Sequence, residues 1–131
     1  MPKPSKPLVT DRVGEQEFQQ RLRLALREAV PSVRLWRQPA GRIRTDRGTW
    51  VECAPVGAAD LSGIVSGPGW RLEVEVKGAP PRVEPEQTRW LDAMRAHGAV
   101  ALLVRYDEKQ TLEENVARGC AEIAAAIRAH P

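Results

Sequence analysis

The residues with the clearest chemical potential are charged and share one face of a predicted strand. Residues 71–77 alternate apolar and ionisable side chains, which predicts a strand with Glu73, Glu75 and Lys77 on one face. Asp60 precedes this strand among small and apolar residues, where an unpaired carboxylate would be costly to bury. If adjacent strands carry Asp60 and Glu75, the two carboxylates can hold a divalent cation, and oxygen ligands favour Mg²⁺ or Mn²⁺. The alternative is an ordinary solvated face.

The elements that must position these side chains follow from the hydrophobic periodicity and the turn residues. The pattern predicts three helices and several short strands in the order α, several β, α, β, α. The helices are expected from Thr10 or Asp11 to Val30, over 84–96 and from 111 to about 129, and the strands over 33–37, 42–45, 49–53, 59–65, 71–77 and 99–105. This order predicts an α/β or α+β fold with a small mixed β-sheet flanked by α-helices.

Length and composition limit the remaining possibilities. The 131 residues, 42% of them apolar, suit one domain over 11–131, and the Pro- and Lys-rich residues 1–10 are expected to form a disordered basic tail. No stretch approaches the roughly 20 apolar residues of a membrane span, and the N-terminus lacks a secretory signal, so the cytoplasm is the expected compartment. Cys53 and Cys120 are expected to be free thiols, and two cysteines with two histidines are too few for a usual zinc site.

The net charge of +3 is unevenly distributed along the chain. Residues 1–50 contain 11 basic and 5 acidic side chains, a balance of +6, and Lys77 is the only lysine between positions 7 and 108. Such a basic segment indicates either a nucleic-acid partner or a solvated arginine-rich surface. Of the four tryptophans, Trp90 is expected in the core, and the others are left open between core packing, base stacking and a subunit contact.

The order of these residues resembles a known nuclease signature. Asp60 followed by Glu75-Val76-Lys77 is similar to the D…(D/E)-x-K motif of the PD-(D/E)XK nuclease superfamily. The flanking residues resemble the VRR-NUC family of structure-specific nucleases over roughly residues 11–105. The matching segments are Gly57–Gly63, Glu75–Gly78, Gln87–Trp90, Gly98 and, more weakly, Glu15–Gln19 and Trp36–Gly41. The segment 79–82 and the additional Glu73 depart from the family pattern.

The resemblance implies a restriction-endonuclease-like PD-(D/E)XK core with a Mg²⁺-dependent site, in which Mn²⁺ can substitute. Asp60, Glu75 and the Val76 carbonyl would hold the metal, and Lys77 would position or deprotonate the attacking water, because lysine can lose its proton and arginine cannot. Glu15 and Gln87 would complete the catalytic set, since helical spacing turns both toward the sheet. The alternatives are a plain first-turn acid for Glu15 and a helix-to-sheet hydrogen bond for Gln87.

The resemblance also implies a substrate and an assembly. The family is associated with branched DNA such as Holliday junctions, in DNA repair and recombination, and a resolvase that cuts two strands symmetrically needs two active sites. The sequence is therefore interpreted as a homodimeric endodeoxyribonuclease with no membrane partner. Alternatives are a flap or restriction-like nuclease and a non-catalytic DNA-binding domain. The arginines expected to contact phosphates lie near the strands that lead to Asp60: Arg34, Arg37, Arg42, Arg44 and Arg47.

Overall fold

A computed structural model describes the backbone of residues 6–131 and the side chains of residues 14–131. Within this range the chain forms three helices and six strands. The helices are α1 (Lys6–Ala29), α2 (Pro85–Ala96) and α3 (Leu112–Ala129), and the strands are β1 (Val33–Arg37), β2 (Arg42–Arg44), β3 (Trp50–Glu52), β4 (Leu61–Val65), β5 (Trp70–Lys77) and β6 (Val100–Arg105).

Four of the strands form one mixed sheet in the order β1-β4-β5-β6. The β1–β4 and β4–β5 pairs are antiparallel, and the β5–β6 pair is parallel, with α2 in the crossover between them. Strands β2 and β3 form a separate antiparallel hairpin inserted between β1 and β4. The predicted small mixed sheet flanked by helices is confirmed.

Helices cover the sheet on both sides, but unequally. On the core face, apolar side chains of β1, β4, β5 and β6 pack against α1 and α3, around Phe18, Leu22 and Ile123. On the opposite face, which we call the α2 face, Leu91 of α2 packs against Ala59 and Ala101, with Trp90 partly buried beside them. The alternation along β5 places Leu72, Val74 and Val76 on the core face and the charged residues of the strand on the α2 face.

Most element boundaries agree with the sequence to within one or two residues. The capping box of Thr111 and Glu114 forms at the start of α3 as predicted. The first helix differs, because it begins at Lys6 rather than at Thr10 or Asp11. Pro7 stands in its first turn, where the missing N–H breaks no helical hydrogen bond. Residues 6–10 of the predicted tail are therefore helical, and residues 1–5 lie outside the described part of the chain.

Cys53 and Cys120 are both free thiols, and Cys120 is buried. Among the described residues, no helix combines the length and the apolar character needed to cross a membrane.

Candidate active site

The candidate site lies where β4 begins and β5 ends. Strand β4 pairs Leu61 with Val74, so the antiparallel register places Asp60 opposite Glu75. The Val76 N–H donates to Asp60 Oδ2 over 3.0 Å, and the Asp60 N–H donates to Glu75 Oε1 over 3.2 Å. The structure thus brings together the two carboxylates that were expected to meet if their strands were adjacent.

A lysine and a glutamine converge on the far oxygen of Glu75. Lys77 Nζ lies 3.1 Å from Glu75 Oε2, and Gln87 Nε2 donates to the same oxygen over 2.9 Å. The Gln87 Oε1 accepts the backbone N–H of Glu84 over 3.0 Å, which completes the capping box of α2. Gln87 therefore makes a helix-to-sheet hydrogen bond, and its partner is a residue of the candidate site. Lys77 is 8% exposed, so its ammonium group is held largely out of solvent.

Glu15 reaches the same end of the sheet from α1. Its Oε1 accepts the backbone N–H of Gly78 over 3.4 Å, immediately after β5. Burial raises the pKa of Glu15, and the nearby Asp60 carboxylate adds to this effect, whereas Lys77 and the Gly78 N–H oppose it. The helical spacing correctly predicted that Glu15 faces the sheet, and the structure places it beside the carboxylate pair.

The carboxylate pair is electrostatically strained. Burial raises the pKa of Glu75 to about 7, with a further contribution from the Asp60 carboxylate and a partial offset from Lys77. Burial also raises the pKa of Asp60, although the Val76 N–H and Lys77 favour its charged form. The buried Glu75 and the partly buried Asp60 beside one lysine leave excess negative charge, which a proton or a bound cation would relieve.

The donors fit a divalent metal ion only if the backbone contributes. Within residues 14–131, no three His, Cys, Asp or Glu side chains are grouped as a metal site. The Val76 carbonyl points to the same strand edge as its N–H, which binds Asp60, because both groups of one residue in an extended strand face the same side. Asp60, Glu75 and this carbonyl would form an all-oxygen set, and such ligands suit Mg²⁺ with bound water completing its shell.

Glu73 has a role that sequence reasoning left open. Its carboxylate is fully buried and accepts four hydrogen bonds from side chains. The donors are Ser62 Oγ at 2.5 Å, Trp90 Nε1 at 2.7 Å, Arg71 Nε at 2.9 Å and Gln38 Nε2 at 3.3 Å. Because both oxygens are occupied by protein donors, Glu73 is an anchor for surrounding elements rather than a metal ligand.

Gln38 links this anchor to Asp60. Its backbone N–H donates to the Asp60 carbonyl over 2.8 Å, and its side-chain Nε2 donates to the Ala59 carbonyl over 3.2 Å. Arg71 Nη2 in turn donates to Gln38 Oε1 over 3.2 Å. The backbone N–H and the side-chain amide of Gln38 therefore hold the carbonyls of Asp60 and of the residue before it. Sequence reasoning missed Gln38 and Arg71, and only membership of the 36–41 segment pointed toward Gln38.

Gly57 allows the loop before Asp60 to lie close to α2. Its φ of +95° is in the left-handed region, and a Cβ there would lie 2.6 Å from the backbone oxygen of Glu86. Glycine therefore lets the 57–60 loop pack directly against the first turn of α2, the turn that carries Gln87.

The five arginines predicted to contact DNA are all exposed and lie outside the carboxylate cluster. Arg37 ends β1, and its charge favours the ionised form of Asp60. Arg42 and Arg44 lie on the β2–β3 hairpin with their guanidinium carbons 5.1 Å and 5.8 Å from the ring centre of Trp50. Arg47 lies in the hairpin turn, and Arg34 on β1 donates to the carbonyls of Pro31 and Val33.

The tryptophans divide between core and surface. Trp90 is partly buried as predicted, and its indole N–H is one of the four donors to Glu73. Trp70 packs partly against the main core, with its ring edge-on to His130 at 4.4 Å. Trp36 and Trp50 are 49% and 52% exposed, so core packing is excluded for these two.

No protein-family model matches the chain, and no curated protein matches it.

Proposed function

We propose that the protein is a Mg²⁺-dependent endodeoxyribonuclease with a restriction-endonuclease-like PD-(D/E)XK core, and that it cuts branched DNA such as Holliday junctions as a homodimer. The observation that carries the proposal is the meeting of Asp60, Glu75 and Lys77 at one end of the sheet, in the order that resembles the VRR-NUC family. The proposed compartment is the cytoplasm, and the proposed reaction is hydrolysis of a phosphodiester bond.

The proposed chemistry divides among a few side chains. Asp60, Glu75 and the Val76 carbonyl would hold Mg²⁺, which when bound would polarise the phosphate and lower the pKa of the attacking water. Lys77 supplies positive charge beside Glu75, where negative charge develops on the phosphate oxygens in the transition state. Gln87 holds the Glu75 carboxylate in place, and Glu15 lies where it can accept a hydrogen bond from water at the end of β5.

The electrostatics of the cluster favour catalysis over DNA binding alone. Burial of Glu75 and Lys77 beside the partly buried Asp60 costs stability, and a domain that only binds the DNA backbone does not require this arrangement. The pKa values of Glu75 and Asp60 are both raised beside a specific charge partner, and such groups are frequent at reactive sites. This cost supports the enzymatic function over the non-catalytic alternative.

The proposed DNA surface extends from the site onto the hairpin. Arg37 lies at the site end of β1, and the hairpin that follows carries Arg42, Arg44 and Arg47. Guanidinium groups suit phosphate oxygens because their planar donors can bind two oxygens at once. The arginines stacked near Trp50 are therefore proposed to contact the DNA backbone without reading its sequence.

Cleavage of defined DNA substrates tests the proposal. Purified protein is incubated with Mg²⁺ and labelled four-way junction, flap or linear duplex, beside the variants Lys77→Ala and Glu75→Gln. Glu108→Gln, at an exposed position on the loop after β6, is the matched control. We expect cleavage of the junction by wild type and control, loss of cleavage in both site variants, and abolition by chelator with restoration by Mg²⁺ or Mn²⁺.

Three outcomes would change the proposal. Absence of cleavage of all substrates by a wild-type protein that still binds DNA would favour the non-catalytic domain. Preferential cleavage of the flap or the linear duplex would favour the other nuclease specificities. A strictly monomeric solution mass would contradict the symmetric resolvase, because a single site cannot cut two strands together.

A further inference from the structure

Part of the sheet is left without a covering helix on the side that carries the candidate site. Helix α2 packs over β5 and β6, whereas no helix of the described chain packs on the α2 face of β1 and β4. Four residues occupy this uncovered area, which we call the open face: Arg34, Trp36, Ile64 and Arg71. Trp36 and Ile64 are 49% and 43% exposed, and the side chain of Arg71 is 50% exposed.

The strand register connects the open face to the carboxylate pair. Directly opposite residues share a face, so Asp60 and Glu75 form a first row, Trp36, Ser62 and Glu73 a second row, and Arg34, Ile64 and Arg71 a third row. Successive rows are two residues apart, or about 7 Å along the strands. Trp36 therefore lies one row from the site, and the two arginines lie two rows from it.

The exposed chemistry of these rows is aromatic and cationic. The only carboxylate in the second and third rows, Glu73, is fully buried and paired with Arg71 at 2.9 Å. Arg34 and Arg71 are both exposed residues on either side of Ile64. Arg34 donates to the protein through Nη1, and Arg71 donates through Nε and Nη2. An exposed indole between the reacting site and two guanidinium groups complements a chain of alternating planar rings and negative charges, which is a single strand of nucleic acid.

We propose that the open face binds a DNA strand with unpaired bases, in which Trp36 stacks on a base and Arg34 and Arg71 contact phosphates. This inference rests on the proposed nuclease function and deepens it by naming the substrate feature that is recognised. A stacked strand advances about 3.4 Å per nucleotide, so one row spans about two nucleotides. Trp36 also lies one strand to the side of Asp60 and two strands to the side of Glu75, at about 4.8 Å per strand. The recognised base thus lies about two to four nucleotides from the phosphate held at the first row, as it would near a strand-exchange point.

Binding without cleavage tests this inference. Fluorescence anisotropy in the presence of a chelator measures the affinity for a labelled oligothymidine and for a blunt duplex of equal length. The probes are about 15 nucleotides long, which is near the upper site size of single-strand binding modules. Removal of one aromatic side chain that stacks on a base typically lowers the affinity for a single strand. We therefore expect Trp36→Ala to weaken oligothymidine binding by roughly 10-fold and to change duplex binding by less than about twofold. Trp36→Phe retains an aromatic face and is expected to restore most of the affinity.

Two further variants separate stacking from charge and from general surface effects. Arg34→Gln is expected to weaken binding of both probes. It should also reduce the salt dependence of the binding affinity by the amount that corresponds to the loss of about one phosphate contact. Leu24→Ser is the matched control, because Leu24 is 46% exposed on α1, which packs on the opposite side of the sheet. Its affinity for both probes is expected to equal that of wild type.

The outcomes distinguish this inference from the proposed function. Wild-type affinity of Trp36→Ala for oligothymidine, or an equal loss for both probes, overturns the stacking role. Conversion of a dimer to a monomer by Trp36→Ala also overturns it and identifies Trp36 as a subunit contact. If wild type cleaves junctions but oligothymidine binding does not depend on Trp36, the proposed nuclease function stands and only this inference is refuted. Trp36-dependent binding without any cleavage refutes the nuclease and leaves the single-strand site.

Discussion

The raised pKa of Glu75 predicts that the fold loses stability as pH rises when no divalent cation is present. The folded protein holds the Glu75 proton up to a pKa of about 7, whereas the ordinary value is 4.5. Between these values the folded state binds more protons than the unfolded state, so the free energy of unfolding falls as pH increases. A difference of about 2.5 pKa units corresponds to about 3 kcal/mol lost between roughly pH 4.5 and pH 7.5.

Urea unfolding of wild type, Glu75→Gln and Glu108→Gln in chelator checks this prediction. Glu75→Gln removes the titrating group, so the variant should lack this loss of stability. Between about pH 5 and about pH 8, the unfolding free energy of wild type should therefore fall by about 3 kcal/mol more than that of Glu75→Gln. The pKa values of Asp60 and Glu15 are also raised. Both residues are present in wild type and in Glu75→Gln, so both proteins should also lose some stability as pH rises. Glu108→Gln should follow the wild-type profile, because Glu108 is exposed.

A divalent cation should reverse the loss. If Asp60 and Glu75 bind Mg²⁺, the cation replaces the proton as the partner of the excess negative charge, and a concentration about 100 times the dissociation constant adds about 2.7 kcal/mol. The gain should be large near pH 8 and small near pH 5, where protons compete for the carboxylates. Parallel pH profiles of wild type and Glu75→Gln would refute the electrostatic reasoning, and equal Mg²⁺ stabilisation of both proteins would refute the ligand assignment.

The remaining predictions concern the supporting residues. Lys77→Arg should leave the fold intact by circular dichroism yet lower cleavage of the junction at least about 100-fold, since an oriented catalytic group typically contributes this much; wild-type rates would exclude a specific need for lysine. Trp90→Phe removes one of four donors to the buried Glu73 carboxylate and should lower the unfolding free energy by about 1–3 kcal/mol in urea, whereas an unchanged midpoint would show that the anchor tolerates its loss. Gly57→Ala should lower the melting temperature, because its Cβ would meet the backbone of Glu86. Gly67→Ala is the control, since Gly67 is also at positive φ but a Cβ there would have nothing within 4 Å. Equal losses in the two variants would contradict a role for the contact with Glu86.

The sequence by itself determined the local elements and the sidedness of the key strand. Period-two alternation in 71–77 placed Glu75 and Lys77 on one face, and helical spacing turned Glu15 and Gln87 toward the sheet, all as the structure has them. Such patterns are readable because each depends only on the geometry of a single helix or strand. The sequence pattern places the start of α1 four or five residues too late, because proline in a first turn is compatible with a helix and does not mark its outer limit.

Tertiary structure alone decided which elements meet. The strand order and register brought Asp60 opposite Glu75, and the donors to Glu73 come from three other elements or segments, up to 35 residues away, as well as from its own strand. The sequence could show that Glu73 is acidic and on the site face, but not that Gln38, Ser62 and Trp90 would satisfy it. The position of α2 over β5 and β6, which leaves Trp36 exposed beside the site, is likewise a consequence of chain topology. Long-range contacts of this kind depend on the relative placement of whole elements, and no local periodicity encodes that placement.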